Sequence, residues 1–258
     1  MSINKQSLEA RVSYEQKFFD QRASEHGNDY SITLDYGKAL KLTNIKEAQL
    51  RGMRVLDCGA GLGELATWLA LRGANVTAID VSPKSLEVLS KRAVHHGVSQ
   101  NITSRVLPLE QLDYPDASFD MVVGEFILHH VLLDKCMPQI RRVLRPGGTG
   151  LFLETSATSR LLMFFRAHVI GHLWLPKYQD EIEYPLRARD IDYIDRVFEG
   201  RCKVHYFPFV FLKMLDSHFF RFNLRPLSWV LSTGDRLIYK YLPLMRKYSY
   251  FKIIEVTG

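Results

Sequence analysis

The chain has few cysteines, no long apolar run and no internal repeat. Its three cysteines, Cys58, Cys136 and Cys202, are odd in number, far apart and outside any metal-ligand spacing. They fit a reducing cytoplasm better than a disulfide framework. No stretch is long and apolar enough for a transmembrane span. The opening Met-Ser-Ile-Asn-Lys-Gln has no apolar segment behind its charge, so no secretory signal is expected. Acid is also scarce in two places. Residues 155–179 hold no Asp or Glu but include Arg160, Arg166 and Lys177, and residues 201–258 hold ten Lys/Arg against three Asp/Glu. That asymmetry leaves four readings open: an anionic substrate, a nucleic acid, an anionic membrane surface, or a solvated basic face.

What the chain has is 258 residues at 47% hydrophobic content, enough for one domain with a sizeable core and an insertion. Its most informative run is Val55-Leu-Asp-Cys-Gly-Ala-Gly-Leu-Gly63, followed by Val76-Thr-Ala-Ile-Asp80. An apolar strand leads into an acid and three glycines at alternate positions, and a second apolar strand ends in an acid. Glycines allow a ligand close to the backbone, and an acid after the second strand suits ribose hydroxyls. A dinucleotide loop, G-x-G-x-x-G, would need glycine at position 64, where Glu64 stands. A carboxylate at that helix start suits the helix dipole and would repel a pyrophosphate. The loop therefore favours a nucleoside without phosphates.

On these residues the chain resembles the class I S-adenosylmethionine-dependent methyltransferases of small-molecule type, whose loop after the first strand reads Asp-x-Gly-x-Gly-x-Gly. The resemblance covers Met53 to Glu154 well and the two terminal strands loosely. It implies a Rossmann-like α/β fold: a seven-stranded, mostly parallel sheet, helices on both faces, and a last strand inserted antiparallel. It also implies S-adenosylmethionine as cofactor, S-adenosylhomocysteine as product, and no metal.

The chain's own alternation agrees. Strands are expected at 53–58, 75–80, 102–107, 119–124 and 149–154, with two more at 202–207 and 251–256. Helices are expected at 64–72, stopped by Gly73, and after Ser82, which caps a helix with Pro83 in its first turn and Gly97 beyond its end. Turns are expected at 115–118 and at Arg145-Pro-Gly-Gly148. The expected organisation is a helical lid over 1–50, a cofactor-binding core over 51–154, a helical insertion over 155–200, and terminal strands with an aromatic-rich helical cap over 201–258, all in one domain. Thirteen aromatics fall between Tyr206 and Phe251. In the insertion Leu162, Phe165, Val169 and Leu173 share one helical face, which suits packing on the protein or lying in a membrane interface.

The resemblance assigns Asp57, Gly59, Gly61 and Gly63 to the amino-acid part of the cofactor, Asp80 to the ribose and Val81 to the adenine. The third strand departs from the pattern, because Pro108 stands where an acid usually meets the adenine amino group. Leu109 would then offer its backbone N–H, with Glu110 in place of the missing acid. Glu125 ends the fourth strand at the same edge. His129 and His130 follow it and are either catalytic bases or structural imidazoles. Tyr14, Phe18, Phe165, Phe209 and Trp229 are the candidate acceptor contacts.

Absences narrow the acceptor. After the fourth strand there is no Asn-Pro-Pro-Tyr or Asp-Pro-Pro-Tyr, no Pro-Cys nucleophile and no Asp-Asn metal pattern. The region more closely resembles enzymes that methylate quinone precursors and secondary metabolites. The expectation is O- or C-methylation of a hydrophobic, small or lipid-like acceptor, with an anionic group on it left open. The setting would be cytoplasmic, with peripheral contact at the inner membrane face open and nucleic acid disfavoured. The alternative is a non-catalytic binding module of the same fold, acting at a membrane or a partner protein.

Overall fold

The structure, a computed structural model, describes residues 7–27, 29–32, 36–43, 45–155, 185–207, 212, 225–249 and 251–258. Two helices come first, α1 (Leu8–His26) and α2 (Tyr36–Leu40). The core then alternates: β1 (Arg54–Cys58), α3 (Glu64–Ala70), β2 (Asn75–Asp80), α4 (Pro83–His95), β3 (Ile102–Val106), β4 (Phe119–Glu125), α5 (Leu133–Val143) and β5 (Leu144–Thr155). The last part holds α6 (Ala188–Val197), β6 (Cys202–Tyr206), α7 (Arg225–Tyr241), a 3-10 turn at Pro243–Tyr248 and β7 (Phe251–Thr257).

The sheet has seven strands in the order β3-β2-β1-β4-β5-β7-β6. The first five are mutually parallel, while β7 runs antiparallel to both β5 and β6, as expected for an inserted last strand. The chain builds outward from β1 to β3, then returns to the other side of β1 with β4. That reversal opens a crevice at the carboxyl ends of β1 and β4, the usual ligand position in open α/β sheets.

Alternate residues of each central strand feed opposite cores. Val55, Val76, Ala78, Met121 and Val123 pack with Tyr36, Trp68, Leu69 and Leu89 from α2, α3 and α4. Leu56, Ile79, Val122, Phe152 and Ile254 face the other way, onto Met137 and Ile140 of α5 and Ile194 of α6. A strand buried on both faces must be apolar at nearly every position, which is why the pattern reads as continuous rather than alternating.

Ser82 caps α4 as expected, its Oγ accepting from Ser85 N at 3.0 Å. The boundary that differs most from the sequence reading is the start of β5. Arg145-Pro-Gly-Gly148 is not a free turn before a strand but the first part of a longer β5, which starts at Leu144 and shifts register against β4 between Phe119 and Met121. The glycines stay in the ladder because the chain's last residue pairs with them: Gly258 N donates to Gly148 O at 2.8 Å, and Gly147 N donates to Gly258 O at 3.2 Å. The expected apolar face at Leu162–Leu173 lies outside the described residues.

Phe152 is wholly buried at the centre of the second core. Phe152→Ala should lower the free energy of unfolding by ~3–5 kcal/mol through lost burial and a residual cavity, read by urea denaturation.

Candidate active site

The glycine loop is shaped by backbone angles that side chains resist. Gly61 has φ +51° and Gly63, the residue before α3, has φ +80°. A Cβ on Gly63 would lie 2.4 Å from Leu89 Cγ, so that position also needs glycine for packing, whereas a Cβ on Gly61 would meet nothing within 4 Å. Gly59 is likewise at positive φ, against the Ile127 side chain.

Asp80 ties this loop to the next. One carboxylate oxygen accepts from Gly61 N and the other from Ser82 N, both at 2.8 Å. Each oxygen keeps a further lone pair for a ligand hydroxyl. Burial raises the Asp80 pKa against the pull of these backbone donors.

Two further acids share the crevice. Asp57 is buried, and its Oδ2 has no hydrogen-bond partner. Burial, reinforced by Glu125 and Asp80, pushes its pKa up to about 8. Glu125 accepts from the Tyr36 hydroxyl at 2.9 Å through Oε2, while its Oε1 is buried without a partner. Burial raises its pKa to about 7 despite the tyrosine, with Glu64 and Glu154 adding like charge. Among the described residues no Lys, Arg or His pairs with Asp57, Asp80 or Glu125. Buried carboxylates without a counter-charge are costly on their own. The arrangement suits a ligand rich in donors and carrying positive charge. No group of three metal-ligating side chains occurs among the described residues.

The two histidines after β4 part company. His129 Nδ1 lies 2.7 Å from Glu154 Oε2, and Glu154 Oε1 accepts from Leu128 N at 2.6 Å. A carboxylate on Nδ1 fixes the proton there in the neutral ring and leaves the lone pair on Nε2. His130 instead meets α1: its Nδ1 is 3.2 Å from Glu15 Oε1, and its ring lies edge-on to Phe19 at 5.6 Å.

Helix α1 crosses the carboxyl edge of the sheet through several such contacts. Arg11 bonds to Glu110 and to the His130 carbonyl, and Asp20 Oδ1 accepts from Ser82 Oγ at 2.6 Å. Glu110 also accepts from Leu132 N at 2.9 Å, so this carboxylate is already engaged by two protein donors. Leu109 is buried beside it in a short 3-10 turn that follows Pro108, and Val81 is half-buried after β2. Phe18 packs on Phe19 at 5.2 Å, and Tyr14 is exposed on the same helix. Trp229 stands on the exposed side of α7, while Phe165 and Phe209 lie outside the described residues.

Between α2, α3 and the sheet lies a cavity of about 500 Å³, counting its open mouth, lined by Leu65, Trp68, Leu153 and Ile253 with Tyr36 and Glu125 among its walls. Arg11, Tyr36 and Glu154 were not singled out from the sequence. Glu154 had a signal, an acid closing an apolar strand; Arg11 and Tyr36 had none.

Residues 56–152 match the profile of a methyltransferase domain. The chain is 33% identical over 159 residues to a ubiquinone biosynthesis O-methyltransferase of Agrobacterium fabrum, covering 57% of this chain and 62% of that one. It is 38% identical over 120 residues to a demethylmenaquinone methyltransferase of Tropheryma whipplei, covering 46% and 48%. The chain thus spans less than two thirds of the length of these curated relatives. Among solved structures, phosphoethanolamine N-methyltransferase 2 of Haemonchus contortus, in complex with S-adenosylmethionine, superposes with a TM-score of 0.55 at 19% identity, covering 85% of this chain and 51% of that one. The strand order and the superposition show the fold of the class I, Rossmann-like methyltransferases, and residues 56–152, with the glycine loop and the acids ending β1 and β2, are similar to a methyltransferase domain.

Proposed function

We propose that the protein transfers a methyl group from S-adenosylmethionine to a hydrophobic, quinone-like or lipid-like acceptor, at oxygen or carbon. The observation that carries this reading is the set of buried acids at the glycine loop, with orphaned oxygens on Asp57 and Glu125 and no counter-charge among the described residues. S-adenosylmethionine matches that deficit, because it carries an ammonium, a sulfonium and two ribose hydroxyls. Asp57 and the backbone of Gly59, Gly61 and Gly63 would hold its amino-acid part, with Glu125 near the charged centre. Asp80 would take the ribose hydroxyls, and Val81 and Leu109 would flank the adenine. With Glu110 held by Arg11, its contribution there is to fix the 3-10 turn and α1.

When bound, the cofactor supplies an activated methyl on a good leaving group. The protein's part is then to position the acceptor in line, exclude water and remove a proton where the acceptor carries one. His129 is the base in this reading, because Glu154 holds its Nδ1 proton and leaves Nε2 to accept. His130 meets α1, which carries Tyr14 and Phe18 and belongs to the helical lid formed by residues 1–50. The apolar cavity and the quinone-related relatives support the acceptor class. The free thiols Cys58, Cys136 and Cys202 support a cytoplasmic setting, peripheral to the membrane where such acceptors partition. No helix among the described residues is long and apolar enough to cross a membrane.

Labelled S-adenosylmethionine with a panel of demethylated quinones and polyprenyl phenols tests the reading; no transfer to any hydrophobic acceptor would overturn it. Three further outcomes are expected. Asp57 and Glu125 titrate near 8 and 7, so in the free protein they hold protons near neutrality. A cationic ligand binds their ionised forms, so S-adenosylmethionine affinity should rise with pH through this window. Stability of the ligand-free protein should fall as pH rises from the ordinary carboxyl values of 3.8 and 4.5 up to about 8, because over that range the folded state binds more protons than the unfolded chain. Calorimetric titration and thermal melts read both, and Asp57→Asn should flatten each profile. Gly61→Ala, whose methyl meets no protein atom but would occupy ligand space, should weaken S-adenosylmethionine binding by about tenfold, equivalent to ~1.4 kcal/mol. His129→Ala should lower kcat by about 10²–10⁴-fold with cofactor affinity retained; unchanged kcat at saturating acceptor would remove the base role.

A further inference from the structure

Helix α7 and the 3-10 turn after it carry an unusual surface. Trp229 is 67% exposed and Leu244 82%, and Val230, Leu237, Tyr241, Leu242 and Met245 are exposed between and beside them. At 100° per residue, Trp229, Val230, Thr233, Arg236, Leu237, Lys240 and Tyr241 fall on one side of α7. The residues nearest the middle of that side are Thr233, Lys240 and Leu237, so cations and apolar groups are interleaved. Across residues 225–249 the basic residues are Arg225, Arg236, Lys240, Arg246 and Lys247. The single acid, Asp235, is fully buried on the opposite side, where it accepts from Leu212 N at 3.1 Å.

The inner side of α7 is anchored. The Tyr239 hydroxyl donates to the Tyr206 carbonyl at 2.7 Å, and Ser249 Oγ donates to the Phe207 carbonyl at 2.7 Å. Those carbonyls lie at the carboxyl end of β6. Because β6 and β5 both run antiparallel to β7, β6 points the same way as β1 and β4. Register carries the level across the sheet, with Tyr206 opposite Lys252, Lys252 opposite Glu154, and Leu153 opposite Glu125. The anchored helix is therefore rooted on the sheet edge that holds the crevice.

We infer that this outer face of α7, continued by Leu242, Leu244 and Met245, docks on the surface of an anionic phospholipid bilayer. An exposed apolar face would serve a water-facing helix badly. Trp and Tyr with flanking Lys and Arg are the side chains that settle at the headgroup level. The lack of any exposed acid across the segment fits a negative lipid surface and leaves nothing to repel it. The helix has no internal span across the bilayer to make, and it lies along the surface. Docking in this way turns the carboxyl edge of the sheet toward the membrane. This goes beyond methyl transfer and does not depend on the cofactor reading, since vesicle binding is measured without cofactor or acceptor.

The test is co-sedimentation of the full chain with vesicles of phosphatidylcholine alone or with phosphatidylglycerol added, at low and high salt. Binding should require phosphatidylglycerol and weaken with salt. Replacing Arg236, Lys240 and Lys247 by Gln should lower the partition coefficient by about a hundredfold, at roughly fivefold per cation. Trp229→Ala with Leu237→Ser should lower it further, with thermal melts unchanged because these side chains are exposed. Should a variant melt early, brominated lipids give a second reading in the unaltered surface: they should quench the wild-type tryptophan emission more than that of Trp229→Phe. Equal binding to neutral vesicles, full binding by the charge variant, or no bromine quenching of Trp229 would overturn the inference. So would a dimer, or an RNA complex, that forms through these side chains while vesicles fail to bind.

Discussion

Strand β1 is hydrogen-bonded on both sides, to β2 and to β4, in parallel register with each. That double pairing sets the level of three strand ends at once: Cys58 lies opposite Ile79 on one side and Gly124 on the other. Every acid of the crevice follows from this alignment. Asp57 is the second-last residue of β1, Asp80 ends β2 and Glu125 ends β4. The same pairing buries both faces of β1, so the carboxylates have apolar neighbours, and among the described residues no cationic side chain pairs with them. The sheet that makes the fold stable is thus what makes its edge electrostatically incomplete.

Those features were legible in the sequence where one local pattern determined them. The alternate glycines with Glu64 after them named a turn and favoured a ligand without phosphates, and Asp80 followed at the spacing of one strand–helix–strand unit. The inserted β7 was expected from the resemblance. Other features were hidden by distance along the chain. Tyr36 reaches Glu125 across 89 residues, and Arg11 reaches Glu110 across 99. No composition or periodicity records such a meeting, because each residue taken alone suits its own helix. The extended β5 was obscured for a different reason. Pro146 and two glycines carry every local mark of a turn, and only pairing with Gly258 at the far end of the chain holds them in the ladder.

The site combines a rigid half with a half assembled from elsewhere. The glycine loop and Asp80 belong to the sheet, fixed by backbone bonds. In the proposed reading the acceptor side is built by α1 and by the pair His129–Glu154, which meet the sheet edge through side-chain contacts. A division of this kind lets cofactor chemistry stay constant while the surroundings determine what is presented to it. The basic, aromatic face of α7 stands apart from both, anchored at the carboxyl end of β6 on the same edge of the sheet.

The two bonds of Asp80 carry a consequence for how such a protein can change over generations. One carboxylate holds the glycine loop through Gly61, holds the start of α4 through Ser82, and in the proposed reading takes the ribose hydroxyls. A substitution there disturbs architecture and recognition together, so variation has no gentle route through it. Histories of altered specificity should be written on the exposed side chains of α1 and α7, such as Tyr14 and Trp229, which take no part in the core.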